Sequence, residues 1–354
     1  MILLPFAHCW RRIVQGVLLA FFLPLAAWGA ETLHVLAWPG YADPDIVKTF
    51  EQLTGAKVEV SFIDTDEALW GRITAPEGKN FDVFAVNTAE LQRYIDKSLV
   101  VPIDPSMVPN VARQLPRFRN LKEIPGVMRD GKVYAIPYTY AEMGLIYDRQ
   151  QVTEAPTSIR ALWDPRYRGK VLLYNGGTHN FTLAAQSLRL AKPFSLETQA
   201  WPAVVNRLVD LRRNAMGFYN QPDESVDLFR RKHAAILFAN YGSQQLQLLK
   251  AAGIDVGYAI PEEGALAWLD CWVVTGNAKN TKLATAWINY MLESEPGQAL
   301  VSRQGLANTT TQSQVLRTQD RLKWLEPVED TDRRTLLWDR ILAGDRASKV
   351  LAAP

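Results

Sequence analysis

Apolar runs alternate with amphipathic stretches along most of the chain. Val35–Ala37 predicts a buried strand, the spacing of apolar residues over Asp43–Leu53 predicts a helix with one apolar face, and Val58–Phe62 predicts a second strand. The alternation continues through predicted strands at Phe81–Val86, Lys170–Tyr174, Ala234–Ala239 and Val256–Ile260, and predicted helices at Thr88–Lys97, Thr178–Leu190, Ala200–Arg213, Gly242–Ala252 and Thr281–Glu293. This order predicts an α/β fold whose largely parallel sheets are covered by helices on both faces.

Two extended segments, near Ile136–Tyr140 and Trp268–Trp272, interrupt this alternation. They predict two lobes joined by two crossover strands, with residues 31–137 and 270–314 in the first lobe and residues 138–269 and 315–354 in the second. The tail after about Ser313 is predicted to be helical. A cleft between two such lobes is the expected place for a ligand, and the crossover strands would act as a hinge.

The first thirty residues have the three parts of a secretory signal. Arg11 and Arg12 precede the apolar stretch Ile13–Trp28, and small residues follow it. The stretch is short for a membrane span and contains Pro24, although an uncleaved anchor is the alternative. Cleavage after residue 29 or after residue 30 fits the pattern. We therefore expect an exported protein, periplasmic if the source is Gram-negative.

Composition and charge exclude several classes of function. The chain has 354 residues, of which 48% are hydrophobic and 21% charged, and the part after the signal has equal numbers of basic and acidic residues. That balance favours neither nucleic acid nor an anionic membrane. Cys271 is the single cysteine after the signal, and no nucleophile, phosphate-binding or metal motif is present. We expect neither an enzyme nor a bound metal or cofactor.

Aromatic residues and one acid form the best candidate binding site. Asp270 lies two residues from Trp268, so on an extended segment both side chains point to the same face. Aromatic faces stabilise an enclosed cation by roughly 0.5–2 kcal/mol per contact, and a buried carboxylate needs a positive partner. This combination predicts an ammonium site, unless the rings belong to the core and Asp270 caps a turn. The other residues placed at predicted strand ends or crossings are Trp38, Tyr41, Asn87, Tyr138, Tyr140 and Tyr241.

Short motifs spaced along the chain form a recognisable series. They are Trp38-Pro39-Gly40-Tyr41, Ala135-Ile136-Pro137-Tyr138, Leu162-Trp163-Asp164-Pro165, Gly242-Ser243, Pro261-Glu262-Glu263-Gly264, Trp268-Leu269-Asp270 and Asn277-Ala278-Lys279-Asn280. In this order and spacing they resemble the periplasmic spermidine/putrescine-binding proteins of ABC importers, among the family 1 extracellular solute-binding proteins. The resemblance implies a type II periplasmic binding protein fold of the venus-flytrap kind. It also implies a monomer that delivers ligand to an inner-membrane ABC permease.

The resemblance also implies roles for individual residues. Trp38 and Tyr41 match the family's aromatic lid, Tyr140 matches an aromatic wall, and Trp268 with Asp270 matches the pair that takes an amine. Other family positions differ in this chain: an acid is replaced by Gly40, an acidic pair falls near Gly176 and His179, a tryptophan falls at Asn240 beside Tyr241, and a tyrosine falls near Leu306.

These departures leave one amine pole and remove most of the others. The helix starts at Gly176–Thr178 and Gly242–Ser243 would instead offer N–H donors to an anion. Two ligand classes fit: a polyamine such as putrescine or spermidine, with Glu142 or Asp223 replacing the lost acids, or an ω-amino acid such as 4-aminobutyrate. The same binding module serving a membrane receptor, rather than a permease, is the alternative function.

Overall fold

The computed structural model describes residues 31–317 and 320–353. Within these ranges the strands are β1 (Thr32–Ala37), β2 (Lys57–Phe62), β3 (Val83–Asn87), β4 (Val100–Val101), β5 (Met128–Arg129), β6 (Lys132–Val133), β7 (Ile136–Met143), β8 (Leu145–Asp148), β9 (Val171–Tyr174), β10 (Ala215–Tyr219), β11 (Ile236–Phe238), β12 (Val256–Ala259), β13 (Ala265–Thr275), β14 (Ala307–Asn308) and β15 (Leu322–Trp324). The α-helices are α1 (Pro44–Thr54), α2 (Asp66–Thr74), α3 (Thr88–Asp96), α4 (Pro116–Arg119), α5 (Gly177–Ser187), α6 (Trp201–Asn214), α7 (Pro222–Arg231), α8 (Ser243–Ala251), α9 (Thr281–Met291), α10 (Ser294–Ala299), α11 (Thr331–Leu342) and α12 (Ala347–Leu351).

The first lobe is built on a sheet with the order β14-β7-β13-β3-β1-β2. β1 pairs in parallel with both β2 and β3, while β13 runs antiparallel to β3 and β7. Val83–Asn87 is buried except at its last residue, as expected for a strand in the middle of a covered sheet. The aromatic residues Phe50, Trp272 and Trp287 contribute to the core around it.

The second lobe is built on a separate sheet with the order β10-β9-β11-β8-β12. β9 pairs in parallel with β10 and β11, and β8 is antiparallel to β11 and β12. Separate apolar clusters include residues of α5, α6 and α11 in one case and of α7 and α8 in the other. The molecule is therefore the two-lobed α/β fold that the alternation of elements predicts.

Both expected crossover strands are present. β7 ends at Met143 and leads through Gly144 into β8 of the other sheet, and β13 returns the chain to the first sheet at Ala265. The residue boundaries assigned above to the two lobes stay a prediction.

The tail differs from the expectation of a helix after Ser313. Among its described residues no helix occurs before Thr331, and Leu322–Trp324 (β15) pairs with Ala265–Ala267 of β13 in the first lobe. Pairing with β13 satisfies the backbone groups of β15, which overrides local helix preference. The helices α11 and α12 then pack against α5 and α6 in the second lobe. The tail is thus a third connection between the lobes.

None of the helices in the described ranges is long and apolar enough to cross a membrane. The predicted secretory signal, residues 1–30, lies outside the described residues.

Candidate functional site

Each sheet has a point where successive connections leave in opposite directions. In the first lobe β2 and β3 lie on either side of β1, and in the second lobe β10 and β11 lie on either side of β9. Open α/β sheets bind ligands outside the carboxyl ends of the strands at such a point. The residues at these strand ends are Trp38–Tyr41 and Asn87 in the first lobe and Asn175–Gly176 and Asn240–Tyr241 in the second.

Asp270 is the central acid of the first-lobe half of the site. It is 6% exposed, and its Oδ2 accepts a hydrogen bond of 2.6 Å from the Tyr41 hydroxyl. In the described part of the chain, no Lys, Arg or His side chain forms an ion pair with it. Burial raises the pKa of Asp270 to about 7, and the hydrogen bond from Tyr41 opposes that shift only partly. A cation beside this carboxylate would restore its ionised form.

Trp268 connects this acid to the second lobe. It shares a face of β13 with Asp270, and its indole packs against the apolar cores of both lobes. Its Nε1–H donates to the main-chain oxygen of Asn240, with 3.1 Å between the heavy atoms. β13 therefore carries Trp268 and Asp270, the two predicted amine-site residues, to the junction between the lobes.

Asn87 lies opposite Asp270 in the β3–β13 register. Its side-chain oxygen caps α3 by accepting from the Glu90 N–H, and its Nδ2 donates to Asp66 Oδ1 at 3.1 Å. The charges of Asp270 and Asp66 both help to raise the pKa of the buried Tyr41 hydroxyl, after the larger effect of burial. Asp66 is therefore a second acid near the site. Sequence reasoning missed it because it opens α2, a helix with no strong pattern around it.

Trp38 and Gly40 form the loop after β1. Among the described residues, the Trp38 Nε1–H is buried and has no hydrogen-bond partner. Gly40 has a φ of +83°, and a Cβ there would collide with the side chain of Gln304. The left-handed conformation favours glycine at this position, whereas the flexible Gln304 side chain could move aside. Gln304, a neutral amide, thus lies where the family resemblance implies an acid, and nothing local in the sequence indicates it.

The candidate side chains of the second-lobe half of the site, those of His179, Asn240 and Tyr241, carry no charge at neutral pH. Burial, with a smaller effect of the nearby Arg334 guanidinium, lowers the pKa of His179 to about 4, so its imidazole is neutral at neutral pH. Its ring meets Tyr174 edge-on, as does that of Tyr241. The Tyr241 hydroxyl donates to the Asn220 main-chain oxygen at 2.7 Å. This surface is therefore aromatic and neutral.

The two helix starts predicted to offer N–H donors differ. The start of α8 is covered, because the Ser243 hydroxyl donates to the Gly305 main-chain oxygen at 2.8 Å and Gly305 lies against Gln244. In contrast, no side chain of the described residues caps the first turn of α5 after Gly176. Gly176 therefore keeps its candidate role, whereas the helix start at residue 243 already contacts the protein's own backbone.

Tyr140 is not brought together with the other candidates. It pairs with Leu269, so it lies on the face of the sheet opposite to Trp268 and Asp270. It is 1% exposed and packs on the rings of Phe118 and Trp324. An irregularity in the β7–β13 register leaves Tyr138 on the other face, where its ring meets Tyr41 edge-on at 5.5 Å between centroids.

The acids considered as replacements for the family's lost carboxylates also lie elsewhere. Glu142 pairs with Ala267, on the face of Tyr140, and is fully buried. Burial raises the pKa of its carboxyl to about 7. Asp223 is exposed in the first turn of α7. Glu142 therefore lies on the opposite face of the sheet from Asp270, and Asp223 lies on a helix of the second lobe.

Comparison with known sequences identifies a matching family and several relatives of this chain. The profile of the family described as bacterial extracellular solute-binding protein matches residues 45–320. The chain is 28% identical to the putrescine-binding periplasmic protein PotF of Escherichia coli over 300 residues, covering 80% of this chain and 79% of that protein. It is 23% identical to the spermidine/putrescine-binding periplasmic protein of the same species over 266 residues, covering 75% of this chain and 74% of the relative.

Solved structures share the fold. A spermidine/putrescine ABC transporter substrate-binding protein from Streptococcus pneumoniae matches with a TM-score of 0.72 and 23% identity, over 91% of this chain and 99% of that one. A protein described as the Atu4243-GABA receptor matches with a TM-score of 0.68 and 16% identity, over 89% and 99% of the two chains. At these identities the likeness concerns the fold alone.

Proposed function

Because the chain belongs to the bacterial extracellular solute-binding protein family, we propose that it is the periplasmic substrate-binding component of an ABC importer for a small amine-bearing solute. It reaches the periplasm through a cleaved signal within residues 1–30, works as a monomer, and delivers its ligand to an inner-membrane permease. It performs no catalysis.

The buried carboxylate of Asp270 carries this proposal. Holding an ionised acid away from water without a positive partner costs several kcal/mol, so a site that buries one is suited to a cation. Tyr41 donates to this carboxylate and Trp268 shares its strand face, and the faces of such aromatic rings favour an ammonium group. The names of the relatives, which include putrescine- and spermidine-binding proteins, support the same chemistry.

Two ligand classes satisfy the charge argument. A polyamine such as putrescine or spermidine places one ammonium at Asp270 and leaves another to be accommodated. An ω-amino acid such as 4-aminobutyrate places its ammonium at Asp270 and its carboxylate at an N–H donor, either at the start of α5 after Gly176 or at the Trp38 Nε1–H. The buried Trp38 Nε1–H favours the second class, because a donor needs an acceptor and a fully protonated polyamine has none.

Calorimetric titration with putrescine, spermidine and 4-aminobutyrate tests the proposal. We expect one of them to bind, and we expect Asp270→Asn to weaken it by about 2 to 5 kcal/mol, since one partner of a buried charged pair is removed. Asp82→Asn is the matched control. Asp82 is equally buried in the first lobe, but its oxygens accept from the main-chain N–H groups of His34 and Lys279.

The control variant should lose stability and keep its affinity. If the Asp270→Asn variant binds the three solutes as tightly as the unaltered protein does, the amine site is not at Asp270 and the proposed function loses its main support.

A further inference from the structure

The inference concerns Asn240 and rests on the proposed function. Asn240 lies two residues after β11, the middle strand of the second sheet, and is 6% exposed. Its main-chain N–H donates to the Tyr219 hydroxyl, and its main-chain oxygen accepts from Trp268. Its backbone is therefore fixed from both lobes.

The side chain of Asn240 is not satisfied in the same way. Its Oδ1 is buried, and no donor in the described part of the chain reaches it. A buried amide oxygen without a donor is destabilising, and native proteins rarely keep one unless a ligand, ion or water supplies the missing hydrogen bond. Asn240 thus offers an acceptor that the protein alone does not use.

The position of this acceptor relative to Asp270 indicates what it could bind. Asn240 is bonded to the indole of Trp268, and Trp268 lies two residues from Asp270 on the same strand face. Trp268 therefore links the two residues across the junction between the lobes. One contributes a carboxylate with a single hydroxyl donor, and the other contributes a neutral oxygen with none.

We infer that Asn240 and Asp270 bind the same nitrogen of the ligand, one from each lobe, and that the site therefore selects a primary amine over a quaternary ammonium. An aromatic cage with a carboxylate suits both kinds of cation, because each needs only charge and ring faces. A second acceptor distinguishes them, since an alkylammonium has N–H groups for both oxygens and a trimethylammonium has none.

The test compares two ligand pairs: 4-aminobutyrate with 4-(trimethylammonio)butyrate, and putrescine with 1,4-bis(trimethylammonio)butane. In calorimetry the unaltered protein should prefer the primary amine by more than about tenfold. Asn240→Leu, which keeps the side-chain size and removes the acceptor, should weaken the primary amine by about tenfold and leave the quaternary analogue unchanged. Asn240→Asp, which keeps an acceptor oxygen, should retain the preference for the primary amine.

Gln114→Leu provides a matched control. Gln114 is also buried with an unpartnered Oε1 among the described residues, but its Nε2 donates to Pro137 and Thr309 within the first lobe. That variant should lose stability without changing the preference. An equal loss for both members of a pair in Asn240→Leu, or no loss for the primary amine, overturns the inference alone. Failure of the unaltered protein to bind any of the four compounds overturns the proposed function as well.

Discussion

The two lobes use the same strand arrangement but carry different residues at the matching position. In each sheet the outer strand of the three parallel strands has an antiparallel strand beside it. β13 lies beside β3 in the first lobe, and β8 lies beside β11 in the second. In the first lobe that neighbour places Asp270 opposite Asn87, at the end of β3. In the second lobe Gly144 occupies the comparable place, because its main-chain oxygen accepts from the Ala239 N–H just after β11.

Glycine is required at that second position for a packing reason. A Cβ on Gly144 would lie 2.6 Å from Cζ of Tyr258. Tyr258 also forms hydrogen bonds with the crossover from β7 to β8, since its hydroxyl donates to the Glu142 main-chain oxygen and accepts from the Gly144 N–H. The second lobe therefore uses this place to secure the crossover, whereas the first lobe places the buried carboxyl of Asp270 at its counterpart. Similar topology thus need not bring similar binding groups.

Among the effects that distinguish the two lobes, the pH dependence of binding is expected to be the largest. Burial acts on both lobes but shifts their titrating groups in opposite directions: it raises the pKa of Asp270 to about 7 and lowers that of His179 to about 4. An ammonium ligand needs Asp270 ionised, so binding must displace its proton at low pH. Affinity should therefore be nearly constant above pH 7 and fall by about tenfold per pH unit below it, or roughly 100-fold between pH 8 and 5.

Calorimetry in buffers of different ionisation enthalpy measures this directly, because it should detect close to one proton released per ligand at about pH 6. Asp270→Asn should remove the slope. Glu142→Gln should keep it, since Glu142 has a similarly raised pKa but lies on the other face of the sheet. A slope that survives in Asp270→Asn and disappears in Glu142→Gln would assign the titration to the crossover instead of the first lobe.

Trp38→Phe tests whether the ligand also carries an acceptor. The change keeps an aromatic ring in the loop after β1 and removes the buried Nε1–H. For 4-aminobutyrate we expect an affinity loss of about 3- to 10-fold, the worth of one hydrogen bond, and for putrescine we expect none.

Trp287→Phe is the matched control, because its Nε1–H is likewise buried without a partner in the described chain, but within the first-lobe core. That variant should bind both ligands as before. Equal losses for the two ligands in Trp38→Phe would mean that the indole contributes packing to the site and does not select for an acceptor.

Sequence patterns predicted the fold well because burial leaves a periodic signal. The long apolar runs correspond to the strands of two covered sheets, and alternation placed Trp268 and Asp270 on one face of β13. The half-buried β10 and the charged α7, which buries only Ser225 and Phe229, were not predicted. The extended tail was also missed, because its structure depends on pairing with β13, far away in sequence.

The site was less predictable, for a specific reason. Alternation within Ile136–Tyr140 implies that Tyr138 and Tyr140 share a face, but the register irregularity near Pro137 separates them. Proline lacks the N–H that a regular ladder needs, so a break beside it is physically reasonable. The proximity of Asp66 to Asn87, and of Gln304 to Gly40, arises from tertiary packing and has no local signal.

Tyr140→Phe carries the smallest expected effect and tests this separation of faces. Removing a hydroxyl that is buried on the side of Phe118 and Trp324 should leave ligand affinity within about twofold and change only the free energy of unfolding. Tyr41→Phe is the matched change on the opposite face. It removes the donor to Asp270 and should weaken binding, because the ionised carboxylate loses a charge-assisted hydrogen bond. Titration of both variants with the same ligand decides the matter: a larger loss in Tyr140→Phe than in Tyr41→Phe would mean that ligand contacts the face of β7 assigned here to the core.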